Sequence, residues 1–312
     1  MEGTNVILFY EFIIVGFPRL QEHNFVFFIF FLILLLATLL GNMLILVLIA
    51  LDHRLHTSMF FFLWNLAVLE VLITVTVIPK LLGALSGHDR TISFSVCFAQ
   101  FFYSFASVEV FLVTVMGFDR YVAIVKPLHY NTLMSSKVCV TIIASVWLLN
   151  FLVPLTSVVL ASTLPYCRSN LILHIACDYP TVMSACGDVT AQVNFALCVA
   201  MVGIYIPVLF ILWSYYRIVC SVIKMKTVES RKKAFSIWSS HISVIFLYCS
   251  IVYIGLRAES IPPDGRIFIG AVYYFLTPLV NPIIYALRNE NIKMIFYRVF
   301  FKKVNKCSIN NE

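Results

Sequence analysis

Few side chains in this sequence are suited to chemistry, and most of those few are charged groups set among apolar ones. Asp119 and Arg120 stand together at the end of a long apolar run, in Met116-Gly117-Phe118-Asp119-Arg120-Tyr121-Val122-Ala123-Ile124. Glu70 and Glu109 each interrupt another such run from within. An ionised group in hydrocarbon is expensive, so the Asp-Arg pair belongs where its run meets water. It is there either as a solvated helix end or as a charged switch at the mouth of a helix bundle. If the two glutamates point inward, they share a proton, because like charges resist joint ionisation, or they hold a cation between them. The plainer alternative is that each is protonated and hydrogen-bonded. Enzyme chemistry finds no footing: His23, His53, His56, His88, His129, His174 and His241 do not cluster. No nucleophile–base set, Gly-rich phosphate loop or zinc-spaced set occurs, so no catalytic residue, cofactor or metal is implied.

The elements that must position these groups follow from composition. The chain has 312 residues, 61% hydrophobic and 12% charged, with a mean hydropathy of +0.95. A soluble domain cannot cover itself with so little polar surface. Charge-poor windows long enough to span a bilayer, about 20 residues each, recur at Phe25–Leu51, Ser58–Leu82, Val96–Phe118, Val138–Leu164, Gln192–Tyr216, Ala234–Leu256 and Ile267–Leu287. The expected fold is an all-α integral membrane bundle of seven transmembrane helices. Residues 1–24 form an N-terminal segment, 25–288 the bundle, and 289–312 a short amphipathic helix and tail. In that last part Ile292, Ile295, Phe296 and Val299 recur at helical spacing, with Lys293, Arg298, Lys302 and Lys303 elsewhere around the wheel or at its end. Such a helix lies on an anionic lipid leaflet.

Charge sets the orientation. Of 22 Lys and Arg residues, only Arg19, Arg90, Arg168, Arg257 and Arg266 fall in one alternate set of inter-span segments. Lys80 stands at a helix end and all the others fall in the opposite set, which is therefore cytoplasmic. The N-terminus is expected outside the plasma membrane and the C-terminus inside. The net charge of +7 is a topology signal, not a nucleic-acid footprint. The first window is longer than the apolar core of a cleaved signal and is expected to act as its own insertion signal.

Four cysteines, Cys97, Cys167, Cys177 and Cys186, fall on the oxidising side. An even number there reads as two bridges, and three pairings are open. Cys139, Cys198, Cys220, Cys249 and Cys307 fall in spans or on the inner side and stay reduced. Asn42 needs a partner inside hydrocarbon and should face other helices. Pro154 and Pro207 kink their helices and open space between them.

Taken together, these residues resemble a rhodopsin-like G-protein-coupled receptor, and more narrowly an odorant (olfactory) receptor. Asp119-Arg120-Tyr121 and Asn281-Pro282-Ile283-Ile284-Tyr285 are similar to the two hallmarks of the wider superfamily. Five stretches resemble the narrower family in order: Leu55 to Leu63; Met116 to Ile124 with Lys126-Pro127-Leu128-His129-Tyr130; Ser214-Tyr215; Lys233-Ala234-Phe235-Ser236 with Ser240-His241; and Pro278 to Asn289. Some residues depart from the family pattern. Ser58 replaces a usual Pro, Phe60 a Tyr, Glu70 an Asp, and Ile237-Trp238 a common Thr-Cys. Cys249 stands where a Tyr is common, the stretch from Cys97 to Glu109 is short against the pattern, and no N-glycosylation sequon occurs.

The resemblance implies that a small, mostly apolar volatile molecule binds in the outer half of the bundle. Its site would be lined by Phe102, Tyr103, Ala106, Ser107, Val199, Gly203, Val252, Leu256 and Tyr274. It implies bridges Cys97–Cys177 and Cys167–Cys186, and a switch made of Asp119, Arg120, Tyr121, Tyr215, Lys233, His241, Asn281, Pro282 and Tyr285. At rest Arg120 would pair with Asp119 and with the foot of the sixth helix. Activation would engage the olfactory stimulatory G protein and raise cAMP, in the cilia of olfactory neurons. A same-fold receptor for a non-odorant metabolite or peptide shares every inner motif. An ion-coupled transporter, using Glu70 and Glu109 as its path, is disfavoured by the lack of internal repeats.

Overall fold

Long apolar helices carry the chain back and forth. The computed structural model describes residues 10–87, 89–103, 107–167, 169–177, 179–182, 185–223 and 262–288, together with 292, 294–296 and 298. In order these form strand β1 (Glu11–Ile14), helices α1 (Asn24–Leu51) and α2 (Ser58–Leu85), strand β2 (Thr91–Ser93), and helices α3 (Phe94–Tyr103) and α4 (Ser107–Val125). Then come the short α5 (Tyr130–Leu133), α6 (Ser136–Ser162), strand β3 (Leu171–Ile172), the short α7 (Tyr179–Val182), α8 (Thr190–Ala200) and α9 (Ile206–Ile223). Two further helices, α10 (Pro263–Ala271) and α11 (Thr277–Arg288), close the sequence of elements. Among the described residues, Gln21–Leu51, Ser58–Leu85, Ser136–Ser162 and Thr190–Ser221 are long and apolar enough to cross a membrane. The window Ala234–Leu256 lies outside the described residues.

The third window, Val96–Phe118, is helical on both sides of residues 104–106, which lie outside the described residues: α3 runs to Tyr103 and α4 starts at Ser107. Its two ends carry separate contacts, Cys97 to an outer loop and Glu109 to the bundle interior.

Prolines shape two other spans. A π-helical turn at Met201–Tyr205 precedes Pro207, and another at Val272–Leu276 precedes Pro278. A proline has no N–H to give, and a widened turn just before it absorbs the break in the hydrogen-bond ladder. Pro282 frees the carbonyl of Pro278, and Asn42 answers it. Its Nδ2 donates to the Pro278 carbonyl at 3.1 Å and to that of Thr38 at 3.0 Å. Gly41 beside it lets α1 approach, since a Cβ there would stand 3.5 Å from Pro282. In the same way Trp147 Nε1 donates to Asn65 Oδ1 at 3.0 Å, tying α6 to α2.

At the end carrying the cysteines, the N-terminal segment is built into the fold. β1 is the centre of a three-stranded sheet, antiparallel to β2 (Phe12↔Ile92) and parallel to β3 (Ile13↔Leu171). The alternation in Glu11-Phe12-Ile13-Ile14 leaves Phe12 and Ile14 buried. Phe12 packs edge-on against Tyr166, ring centroids 5.4 Å apart, and the Tyr166 hydroxyl donates to the Ala161 carbonyl at 3.0 Å. Farther on, Arg19 meets Asp264 at the start of α10, Nε to Oδ2 3.6 Å.

Candidate functional site

Three groups of candidate functional side chains occupy three levels of the bundle. At the end away from the sheet, Asp119 lies in the last turns of α4 and is 1% exposed. Ser58, the first residue of α2, donates to its Oδ1 at 2.6 Å. Tyr130, at the start of α5, donates to the same oxygen at 2.9 Å, and the two hydroxyls touch each other at 2.5 Å. Burial pushes the Tyr130 phenol up, the Ser58 hydroxyl pulls it down, and the Asp119 carboxylate raises it again, so Tyr130 remains a donor. The expected Asp119–Arg120 ion pair is absent among the described residues. The reason is geometric: two hydroxyl donors from α2 and α5 draw the carboxylate to their own side. Arg120 is half-buried, Tyr121 packs on Trp213 with ring centroids 5.1 Å apart, and Tyr215 is buried on α9. Lys233 and His241 lie outside the described residues, as does the side chain of Tyr285.

One layer farther out, Glu70, Glu109 and Asn281 are 0%, 1% and 2% exposed. Asn281 Nδ2 donates to Glu70 Oε1 at 2.6 Å and to Glu109 Oε1 at 3.0 Å. A single amide thus holds both carboxyls. Asn281, which the resemblance assigns to the inner switch, bonds to both carboxyls here, and Pro282 packs against α1 at Gly41. Thr74 lies one turn from Glu70 and Thr277 one turn from Asn281. Both hydroxyls, and Asn281 Oδ1, are buried without a hydrogen-bond partner among the described residues. Oxygens so arranged suit ordered water or a hard cation. Among the described residues no group of three or more His, Cys, Asp or Glu could hold a metal ion.

The described side chains of the outer level are mostly apolar. Val199 is half-buried on α8, Tyr274 is buried in the second π turn, and Gly203 is buried in the first. A Cβ on Gly203 would meet nothing within 4 Å. Phe102 packs edge-on against Phe151 of α6, centroids 5.4 Å apart, while its neighbour Phe101 lines a cavity with Ser157 and Gln192. The side chains of Tyr103 and Ser107, and all of Ala106, Val252 and Leu256, lie outside the described residues. Above this level Cys97 is joined to Cys177 with Cα atoms 5.3 Å apart, and Cys167 to Cys186 at 5.6 Å. Both separations are ordinary for a bridge, and of the three pairings four cysteines allow, this is the one formed.

A family model described as olfactory receptor matches residues 30–303. The chain belongs to the olfactory receptor family. It is 43% identical over 296 residues to Olfactory receptor 2AT4 of Homo sapiens, covering 92% of each chain. It is 41% identical over 289 residues to Olfactory receptor 6N1 of Homo sapiens, covering 91% of this chain and 92% of the other. With Olfactory receptor 1M1 of Mus musculus it shares 36% identity over 313 residues, covering 99% and 100%. The receptor is therefore a membrane protein of a G-protein-coupled, non-enzymatic family whose ligands are odorants.

Several contacts at these candidate sites are not readable from the sequence. Ser58 was visible as a departure from the family pattern, but nothing in it named Asp119 as its partner. Thr74 and Thr277 carried a usable signal, each standing four residues from a member of the carboxylate site on the same helical face. Phe101, which is not among the expected lining residues, borders a cavity with Ser157 and Gln192.

Proposed function

We propose that the receptor binds a small, mostly apolar volatile molecule in the outer half of a seven-helix bundle and activates the olfactory stimulatory G protein, raising cAMP. The observation that carries this reading is the layering of charge. Val199, Gly203 and Tyr274 bring no ionisable carboxyl to the outer level, whereas Glu70, Glu109 and Asp119 lie deeper, the last at the opposite end from the bridges. A cavity of the first kind suits burial and one or two hydrogen bonds. Disulfides belong to an oxidising compartment, which supports an extracellular segment 1–24 and a cytoplasmic Asp119 end. Helical residues past 288 support an amphipathic helix against lipid: Ile292 and Ile295 are buried, Met294 and Arg298 exposed. The site of action in this reading is the ciliary plasma membrane of olfactory neurons. A cAMP response to an odorant panel, in cells supplying the olfactory G protein and an export chaperone, tests it. Silence across the panel at normal surface level is the adverse result.

In the resting state Ser58 and Tyr130 hold Asp119. A hydroxyl bond to a carboxylate contributes about 1.5–3 kcal/mol, and a ligand acts by shifting the balance between two such states. Ser58→Ala is expected to raise ligand-free cAMP several-fold at equal surface level, and unchanged basal cAMP removes Ser58 from the switch. The two buried carboxyls share a proton or a cation. Glu70→Gln is therefore expected to change basal signalling or its dependence on sodium or pH. If basal signalling stays unchanged across both conditions, Glu70 is a satisfied core residue.

A further inference from the structure

Between α3, α6, α8 and the outer loop lies a cavity of ≈ 10 Å³, room for about one water molecule or one hydroxyl group. Phe101, Leu160, Val182 and Phe195 give it apolar walls, and two polar side chains, Ser157 and Gln192, complete the lining. The polarity is one-sided. Gln192 Nε2 donates to the Leu160 carbonyl at 3.0 Å, which fixes the orientation of the amide. Its Oε1 is buried and has no hydrogen-bond partner among the described residues. Ser157 already directs its proton to the Val153 carbonyl at 3.3 Å, so it too presents lone pairs. The cavity therefore offers acceptors, and a buried acceptor left unmet is costly. Its occupant must bring a donor.

Ala196 lines the cavity, Val199 follows about one turn on, and Gly203 leaves open space beside its backbone. From Ala196 to Gly203 is roughly 10 Å of helix, a length that a medium aliphatic chain covers.

We infer that this cavity anchors the hydroxyl group of an aliphatic alcohol, whose O–H donates to Gln192 Oε1 while its chain runs past Ala196 and Val199 toward Gly203. The inference rests on the proposed odorant site and narrows its ligand class. A ketone or ether of equal length brings only acceptors and leaves Gln192 Oε1 unpaired. Sites that hydrogen-bond a ligand group reject the analogue lacking it far more strongly than they reject a missing methylene.

The test uses the full chain in lipid nanodiscs, with thermal melting read against 1-octanol, 2-octanone and the methyl ether of 1-octanol. The wild type is expected to bind 1-octanol about tenfold or more tightly than the other two. Gln192→Met, which keeps the length and loses the acceptor, is expected to abolish that preference. The inference is overturned if ketone or ether stabilises the wild type as well as the alcohol does, a comparison needing no variant. It is overturned also if none stabilises it, or if the preference survives in Gln192→Met. Alcohol binding without a cAMP response sinks the signalling reading alone. Responses confined to ketones sink the anchor and leave signalling intact.

Discussion

Arg120→Ala is expected to abolish ligand-driven cAMP accumulation while leaving the receptor folded and at its normal surface level. The second half of that expectation comes from the structure. Were Asp119 paired with Arg120, removing the guanidinium would strand a buried carboxylate and destabilise the fold by about 3–5 kcal/mol. Asp119 instead takes its hydrogen bonds from Ser58 and Tyr130, neither of which the substitution touches. Arg120, half-buried at the end of α4, is thus available to meet a partner without being needed to neutralise its neighbour. Surface labelling and cAMP, measured on the same cells, separate the two effects. Full cAMP production at normal surface level removes Arg120 from the coupling machinery. A collapse of surface level instead means that it holds the fold.

Apolar length and the charges that interrupt it made much of the architecture legible. Runs such as Phe25–Leu51 and Val138–Leu164 become α1 and α6 nearly as bounded, because nothing in them competes with a buried helix. What depends on groups far apart in the chain was not legible. Glu70 and Glu109 were readable only as a conditional pair. What joins them is Asn281, 211 and 172 residues away, and only packing brings that amide between them. β1 is four residues long, too short for its alternation to stand out, and its partners Ile92 and Leu171 lie in two other loops. Pro207 announced a disturbed helix, but whether a proline kinks the chain or widens a turn depends on neighbours. The same holds at Asp119. The adjacent Arg120 was the obvious partner, yet side chains at consecutive helical positions point different ways. Hydroxyls from two other segments reach the carboxylate first.

The second large effect concerns the outer end. Joint replacement of Cys97 and Cys177 by serine is expected to reduce surface receptor below about a tenth of wild type at 37 °C, because the bridge constrains so long a loop. It spans a sequence separation of 80, against 19 for Cys167–Cys186. By loop-closure entropy these contribute about 4.5 and about 3 kcal/mol, set against a total stability of order 5–15 kcal/mol for a folded domain. The longer bridge also has more resting on it. Cys177 is fully buried, and its N–H donates to Gln100 Oε1 at 2.8 Å. Gln100 Nε2 in turn donates to the Thr76 carbonyl at 3.1 Å, so bridge and amide together tie the outer loop to α3 and α2. The paired substitution at Cys167 and Cys186 should leave several-fold more receptor at the surface, and growth at lower temperature should restore part of the loss in both. Surface labelling of the two double variants side by side decides the matter. Equal losses mean that loop length does not govern the effect, and a wild-type level for the Cys97–Cys177 variant means that Gln100 and the packed sheet hold the outer end without it.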